Sequence, residues 1–170
     1  MKTLFGGVYS DRKVLVTGHS GFKGSWLLLW LKHLGSNVTG FSLAPSTAPS
    51  HIELLGFFDP SSAGDIRNMD QLIKAFTDFQ PEIVFHLAAQ PLVRRSYADP
   101  LETFTTNITG TANVLEAARH TPSVKAFVNV TTDKVYRNND WPRPYRETDM
   151  IGGHDPYSTS KACVELLHES

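Results

Sequence analysis

The stretch that decides the fold is Lys13-Val14-Leu15-Val16-Thr17-Gly18-His19-Ser20-Gly21-Phe22-Lys23-Gly24-Ser25-Trp26. Its first five residues read as a short buried strand. Three glycines follow at the spacing G-x-x-G-x-x-G. Gly18 permits a tight turn, Gly21 lets the backbone approach a pyrophosphate, and Gly24 lets a helix pack on the strand. From Phe22 apolar residues recur at helical spacing (Phe22, Trp26, Leu29, Trp30) until Gly35 caps the helix. Trp26 and Trp30 are therefore expected in the core or in helix packing. A helix opening behind a glycine turn presents free N–H groups and a positive dipole end to an anion. Ser20, Phe22 and Lys23 share this turn and join the three glycines as candidates for cofactor binding.

Outward from the turn, strand and helix alternate. Asn37 to Leu43 reads as a second strand and Ala63 to Ile66 as a short third. Asp70 to Phe79 is a helix with Leu72, Ile73, Phe76 and Phe79 on one face, ended by Pro81. Glu82 to Leu87 is a continuous apolar run and is expected to be buried on both faces of a parallel sheet. Pro100 opens a long helix to about His120, with the stripe Phe104, Ile108, Thr111, Leu115 and Ala118. Val124 to Val130 is a fifth strand, 137–156 a polar loop, and a last helix starts near Tyr157. This alternation predicts the α/β class: a doubly wound parallel sheet of Rossmann type with right-handed crossovers.

At 170 residues the chain suits one well-buried domain. Sixteen basic against 17 acidic residues supply no field for nucleic acid or anionic membrane. The single cysteine, Cys163, excludes an internal disulfide and a cysteine metal cluster, and reads as a buried small residue. The seven histidines make no ligand spacing, so no metal site is expected. The N-terminus is too weakly apolar for a signal peptide, and the apolar run at Trp26–Leu31 is far short of a span. A cytoplasmic protein is the expectation.

A carboxylate for the adenosine ribose is expected about 20 residues past the turn. The residues there are Gly40-Phe41-Ser42-Leu43. Ser42 can bond a ribose hydroxyl, and no arginine between Arg12 and Arg67 stands ready for a 2′-phosphate. The balance favours NAD over NADP. Further on, Tyr157 and Lys161 stand at i and i+4 on one helix face. A phenol is a poor base at neutral pH, and a nearby ammonium would lower its pKa. At the end of the fifth strand Thr132 is placed to bond a substrate hydroxyl, with Asp133 and Lys134 as an acid/base pair beside it.

The chain resembles the extended short-chain dehydrogenases/reductases, and within them the nucleotide-sugar 4,6-dehydratases. The segments that carry the resemblance are VLVTGHSGFKGSWL (14–27), GDIRN (64–68), HLAAQPLVRRSY (86–97), TNITGTANVLEAAR (106–119), TTDKVY (131–136) and GGHDPYSTSKACVEL (152–166). Lysine at 134, where related dTDP-glucose enzymes carry glutamate, points to the branch that acts on CDP-glucose. The resemblance implies that Asp65 and Ile66 flank the adenine. It implies that Leu87, Ala88 and Ala89 line the cofactor, that Thr106 approaches the nicotinamide half, and that Asn107 braces the helix. The implied activity is an NAD-dependent lyase of deoxysugar and surface-polysaccharide synthesis. Tyr157 takes the O4 proton of the sugar, and Asp133 and Lys134 serve the elimination of water. A 4-epimerase shares the turn and the Tyr/Lys pair but lacks the charged pair after Thr132. A cofactor-binding module without turnover is the other reading. Relatives continue into a substrate domain, so 1–170 is expected to be the NAD-binding Rossmann front portion of a longer enzyme. They pair through the long and last helices, so a homodimer is expected.

Overall fold

The computed structural model describes residues 3–57 and 59–170. Four strands form one parallel sheet: β1 (Lys13–Thr17), β2 (Asn37–Phe41), β3 (Ile83–His86) and β4 (Ala126–Asn129), in the order β2-β1-β3-β4. All three pairings are parallel, and Phe41, Thr17, His86 and Asn129 stand in register at the C-terminal ends. The order steps outward from β1 in both directions, which is the switch point of a doubly wound sheet. Val14, Leu15 and Val16 are fully buried because β1 is central and covered on both faces. Leu15 packs with Phe41, Leu72, Phe76, Val84 and Val114, while Val14 and Val16 pack with Leu31.

The chain divides into two compact units. The first runs to Ala88 and includes Asn113–Asn129, and so holds the whole sheet. It contains α1 (Phe22–His33), the short α2 (His51–Leu54) and α3 (Met69–Phe79). The second comprises Ala89–Ala112 and Val130–Ser170, with α4 (Val93–Ala98), α5 (Pro100–Phe104), a π-turn at Thr105–Thr109 and α7 (Pro156–Glu169). The segment α6 (Gly110–Arg119) follows the π-turn directly.

Several expectations need correction. The third strand expected at Ala63–Ile66 is reduced to one bridge, Ser42 to Ala63, so the described sheet has four strands and not five. In β3 only Val84 and His86 are buried, and Ile83 and Phe85 are half-buried. On α1 the inward face is Gly24, Ser25, Leu28 and Leu31, whereas Phe22, Trp26 and Trp30 are exposed. The helix is apolar almost all round, so size decides: small Gly24 and Ser25 fit against the turn and the aromatics do not. Ile73 likewise faces out from α3. Along the long helix the buried positions are Thr103, Asn107, Gly110, Thr111, Val114 and Ala117. The period is as expected, but the phase is shifted because this face is small and polar. Cys163 is half-buried.

Candidate functional site

The glycine turn belongs to the first unit. Gly18 sits at φ +73°, and a Cβ there would lie 2.6 Å from the Ala88 nitrogen. A Cβ on Gly24 would lie 2.2 Å from the Gly18 carbonyl oxygen, so this helix start tolerates only glycine. Gly21 caps α1 with no side chain, and its N–H donates to the Gly18 carbonyl at 3.1 Å. The cradle is thus bare backbone, open to an anion at a helix whose first amides lack intrahelical acceptors. The Phe22 and Lys23 side chains point to solvent.

Behind the turn a hydrogen-bond chain has a defined direction. Ser62 Oγ donates to the Asp59 carbonyl at 2.6 Å, so it accepts from His19 Nε2 at 3.2 Å. His19 is buried, and burial lowers its pKa, partly opposed by Asp59, so the ring is neutral. Its Nδ1 is then an acceptor, and Ser42 Oγ donates to it at 3.0 Å while accepting the Ser20 N–H at 3.3 Å. Ser42 has spent its one proton and keeps one lone pair. It can accept from a ribose hydroxyl but offers nothing to a phosphate oxygen. Gly40 makes room for this arrangement, since a Cβ there would meet the His19 ring at 2.1 Å. Ser20 Oγ donates to the Leu43 carbonyl at 2.9 Å.

Asp65 holds Arg67 in a fork, from Nε at 2.9 Å and from Nη2 at 2.6 Å, which keeps its carboxyl below the ordinary range. Ile66 is buried beside it, and Leu87 and Ala88 are half-buried at the end of β3. The Ala88 N–H donates to Thr17 Oγ1 at 3.3 Å, and Thr17 Oγ1 shares a hydrogen bond of 2.7 Å with His86 Nδ1.

The second unit carries the candidates for proton transfer. Asp155 caps α7, accepting from the Ser158 N–H at 2.9 Å, and this first turn presents Tyr157. One turn on, Lys161 is buried and its Nζ donates to the Val130 carbonyl at 2.9 Å. Burial drops Lys161 to about 8, with Glu165 opposing. The expectation that Lys161 lowers the Tyr157 phenol fails here: burial pushes the phenol up, Thr132 bonds to it and pulls the other way, and Asp155 and Asp133 push up. Thr132 Oγ1 donates to Asp133 Oδ1 at 3.1 Å. Asp133 and Lys134 are exposed at the 3-10 turn Asp133–Val135.

Asn107 sits buried inside the π-turn, a geometry frequent at functional sites. Its Oδ1 accepts from the Gln90 N–H at 2.8 Å, and its Nδ2 donates to the Gln90 carbonyl at 3.2 Å and to Ser160 Oγ at 2.8 Å. Ser160 Oγ donates to the Tyr157 carbonyl at 2.7 Å. Asn107 is thus a brace, as expected, and it reaches the turn that carries Tyr157. Ala89 and Thr106 are half-buried, adjacent in sequence to Gln90 and Asn107 respectively. Gln90, Ser160 and Glu165, which accepts from Thr131 Oγ1, escaped the sequence reading. Glu165 alone had a signal: it continues the Tyr157, Lys161 series at i+8.

Among the described residues no group of three or more His, Cys, Asp or Glu could hold a metal ion, and no helix is long and apolar enough to cross a membrane. The chain is 49% identical over 161 residues to the CDP-glucose 4,6-dehydratase of Salmonella typhimurium, covering 94% of this chain and 45% of that protein. It is 35% identical to the UDP-glucose 4-epimerase of Erwinia amylovora, over 91% of this chain and 47% of that one. Among solved structures, the Thermus thermophilus UDP-glucose 4-epimerase in complex with NAD superposes with a TM-score of 0.78 at 30% identity, over 92% of this chain and 50% of its own. The chain spans about half the length of these relatives. The family model for GDP-mannose 4,6 dehydratase matches residues 15–170, from within β1 to the last residue, and so takes in both the glycine turn and the Tyr157/Lys161 helix. On that match the chain belongs to the GDP-mannose 4,6-dehydratase family.

Proposed function

We propose that the chain is the NAD-binding and proton-handling portion of a CDP-glucose 4,6-dehydratase, converting CDP-glucose to CDP-4-keto-6-deoxyglucose. The observation that carries the substrate branch is Thr132-Asp133-Lys134 standing in one strand-end turn, in a chain 49% identical to such an enzyme. The bare-backbone cradle of Gly18, Gly21 and Gly24 fits a pyrophosphate. Ser42, with a lone pair and no proton to give, fits a ribose hydroxyl and so NAD better than NADP. Bound NAD would supply reversible hydride exchange with the sugar.

The chain's own residues handle protons. Tyr157 receives the O4 proton as C4 becomes a ketone. The 4-ketone acidifies C5–H. Asp133, as the carboxylic acid, gives a proton to the departing 6-hydroxyl, and Lys134, as the neutral amine, takes the C5 proton. C4 is oxidised, C6 is reduced and water is lost, so no net redox change remains. Because burial keeps the phenol protonated at neutral pH, turnover should rise on the alkaline side.

Alkaline absorbance of the 4-keto-6-deoxy product after incubation with CDP-glucose and NAD tests the reading, since an epimerised sugar gives no such signal. Tyr157→Phe should reduce turnover by about 100-fold or more while NAD binding persists. NAD binding with an epimerised, alkali-silent sugar as the product would overturn the dehydratase reading, whereas NAD binding with no product from any nucleoside-diphospho-glucose favours a cofactor-binding module without turnover.

A further inference from the structure

Within the first unit, α1 turns its aromatic side chains to solvent. Phe22 is 72% exposed, Trp26 49% and Trp30 45%. They recur every four residues, which places them on one helix face. Ring contacts extend the row. Phe5 meets Trp30 edge-on at 5.7 Å, and the His51 ring lies 4.6 Å from Trp26 and 5.8 Å from Phe22. His51 is itself held, because Ser25 Oγ donates to the Phe22 carbonyl at 2.9 Å and therefore accepts from His51 Nδ1 at 2.6 Å. Leu54, 73% exposed, closes the strip one turn along α2. The strip contains no Asp, Glu, Lys or Arg.

We propose that this strip is an interface on which a second copy of the chain docks, α1 against α1 about a twofold axis. The area argues for a copy. With aromatic side chains of roughly 150–250 Å² each, the exposed parts of these residues and of neighbouring Leu4 come to on the order of 700 Å². A stable interface takes about 800 Å² from each partner, so like meeting like is sufficient. An uncharged strip has no steering toward a charged partner but is complementary to itself, since aromatic rings pair well edge to face. The inward anchors Leu28, Leu31 and Leu34 are buried, so the row is presented on a fixed helix and little ordering opposes docking. This interface is separate from any pairing through the long helix, where Leu101 is 75% exposed.

Light scattering and sedimentation of the 170-residue chain from about 1 to 100 μM decide the matter. The parent should associate above its 18.9 kDa mass, with the tryptophan emission moving to shorter wavelength as it does. Trp30→Glu places like charges across the twofold axis and should weaken association by at least about 30-fold, as expected at an interface hot spot. Trp26→Gln, a milder change at an exposed site, should weaken it less, and circular dichroism checks that both variants fold. Leu101→Glu should leave this step in place. If Trp30→Glu and Trp26→Gln associate like the parent while Leu101→Glu does not, the strip is not the interface. A parent that stays monomeric throughout overturns the proposal and points to a different occupant.

Discussion

Replacing Lys161 with methionine should stabilise the fold at neutral pH. Lys161 is 4% exposed, and its ammonium titrates at about 8 against 10.5 for a free lysine. That gap costs the folded state ~3 kcal/mol wherever both forms are charged, since each pH unit is worth about 1.4 kcal/mol. Methionine keeps the unbranched length and carries no charge. It also abandons the Val130 carbonyl, which Lys161 Nζ serves at 2.9 Å, at a cost of about 1–3 kcal/mol. The net gain is of order 1 kcal/mol near neutrality. Between about 8 and 10.5 the unfolded chain binds a proton at this lysine that the folded chain has released, so the parent gains stability with rising pH and Lys161→Met does not. Urea titrations of both proteins at pH ~7 and ~10 should therefore show the variant ahead at the lower pH and behind at the higher. A variant less stable than its parent at neutral pH, with a difference that does not change with pH, would refute the claim that burial governs this lysine.

Gly24→Ala should destabilise the first unit by about 2 kcal/mol or more, because its new methyl has only the Gly18 backbone to displace; an unshifted melting curve would contradict that packing. As pH falls below 6.5 the unfolded chain gains a proton that buried His19 resists, so stability should decline there. In His19→Asn that slope should flatten, as read from denaturation midpoints between pH ~7.5 and ~5.5. Asp149 grips Arg143 with bonds of 2.8 and 2.7 Å and accepts the Arg146 N–H at 2.9 Å, which holds its carboxyl at about 2. Asp149→Asn should loosen the polar loop and speed tryptic cleavage after Arg143 and Arg146, whereas equal cleavage rates would show that the fork does not order it.

The sheet was readable because its signals are local. Val14-Leu15-Val16 between a charged residue and a glycine turn has few other interpretations, and Pro100 and Pro156 open helices where their missing N–H costs nothing. The Tyr157/Lys161 pair follows from helical period alone. What stayed hidden depends on tertiary packing. The face of α1 could not be chosen from hydrophobicity, because Leu28, Leu31, Trp26 and Trp30 all score as apolar and only the space around Gly24 separates them. Asn107 and Gln90 are buried polar residues whose partners lie 17 positions apart, a pairing that no local pattern records. The third strand failed because only Ala63 reaches a partner, while the Asp65 N–H turns to the Gln71 side chain and its carboxyl to Arg67. Tyr157 follows the same rule: spacing puts a lysine one turn away, but its ammonium is given to a backbone carbonyl and burial raises the phenol.

The line from the Ser20 amide through Ser42 and His19 to Ser62 conducts hydrogen-bond polarity in one direction, and the imidazole is the component that sets it. If His19 takes a second proton, its Nδ1 becomes a donor and Ser42 must swing its own hydrogen outward. A position that accepts in the neutral state would then give. Acid would thus convert a point that accepts hydrogen bonds into one that donates them, without the movement of any backbone atom.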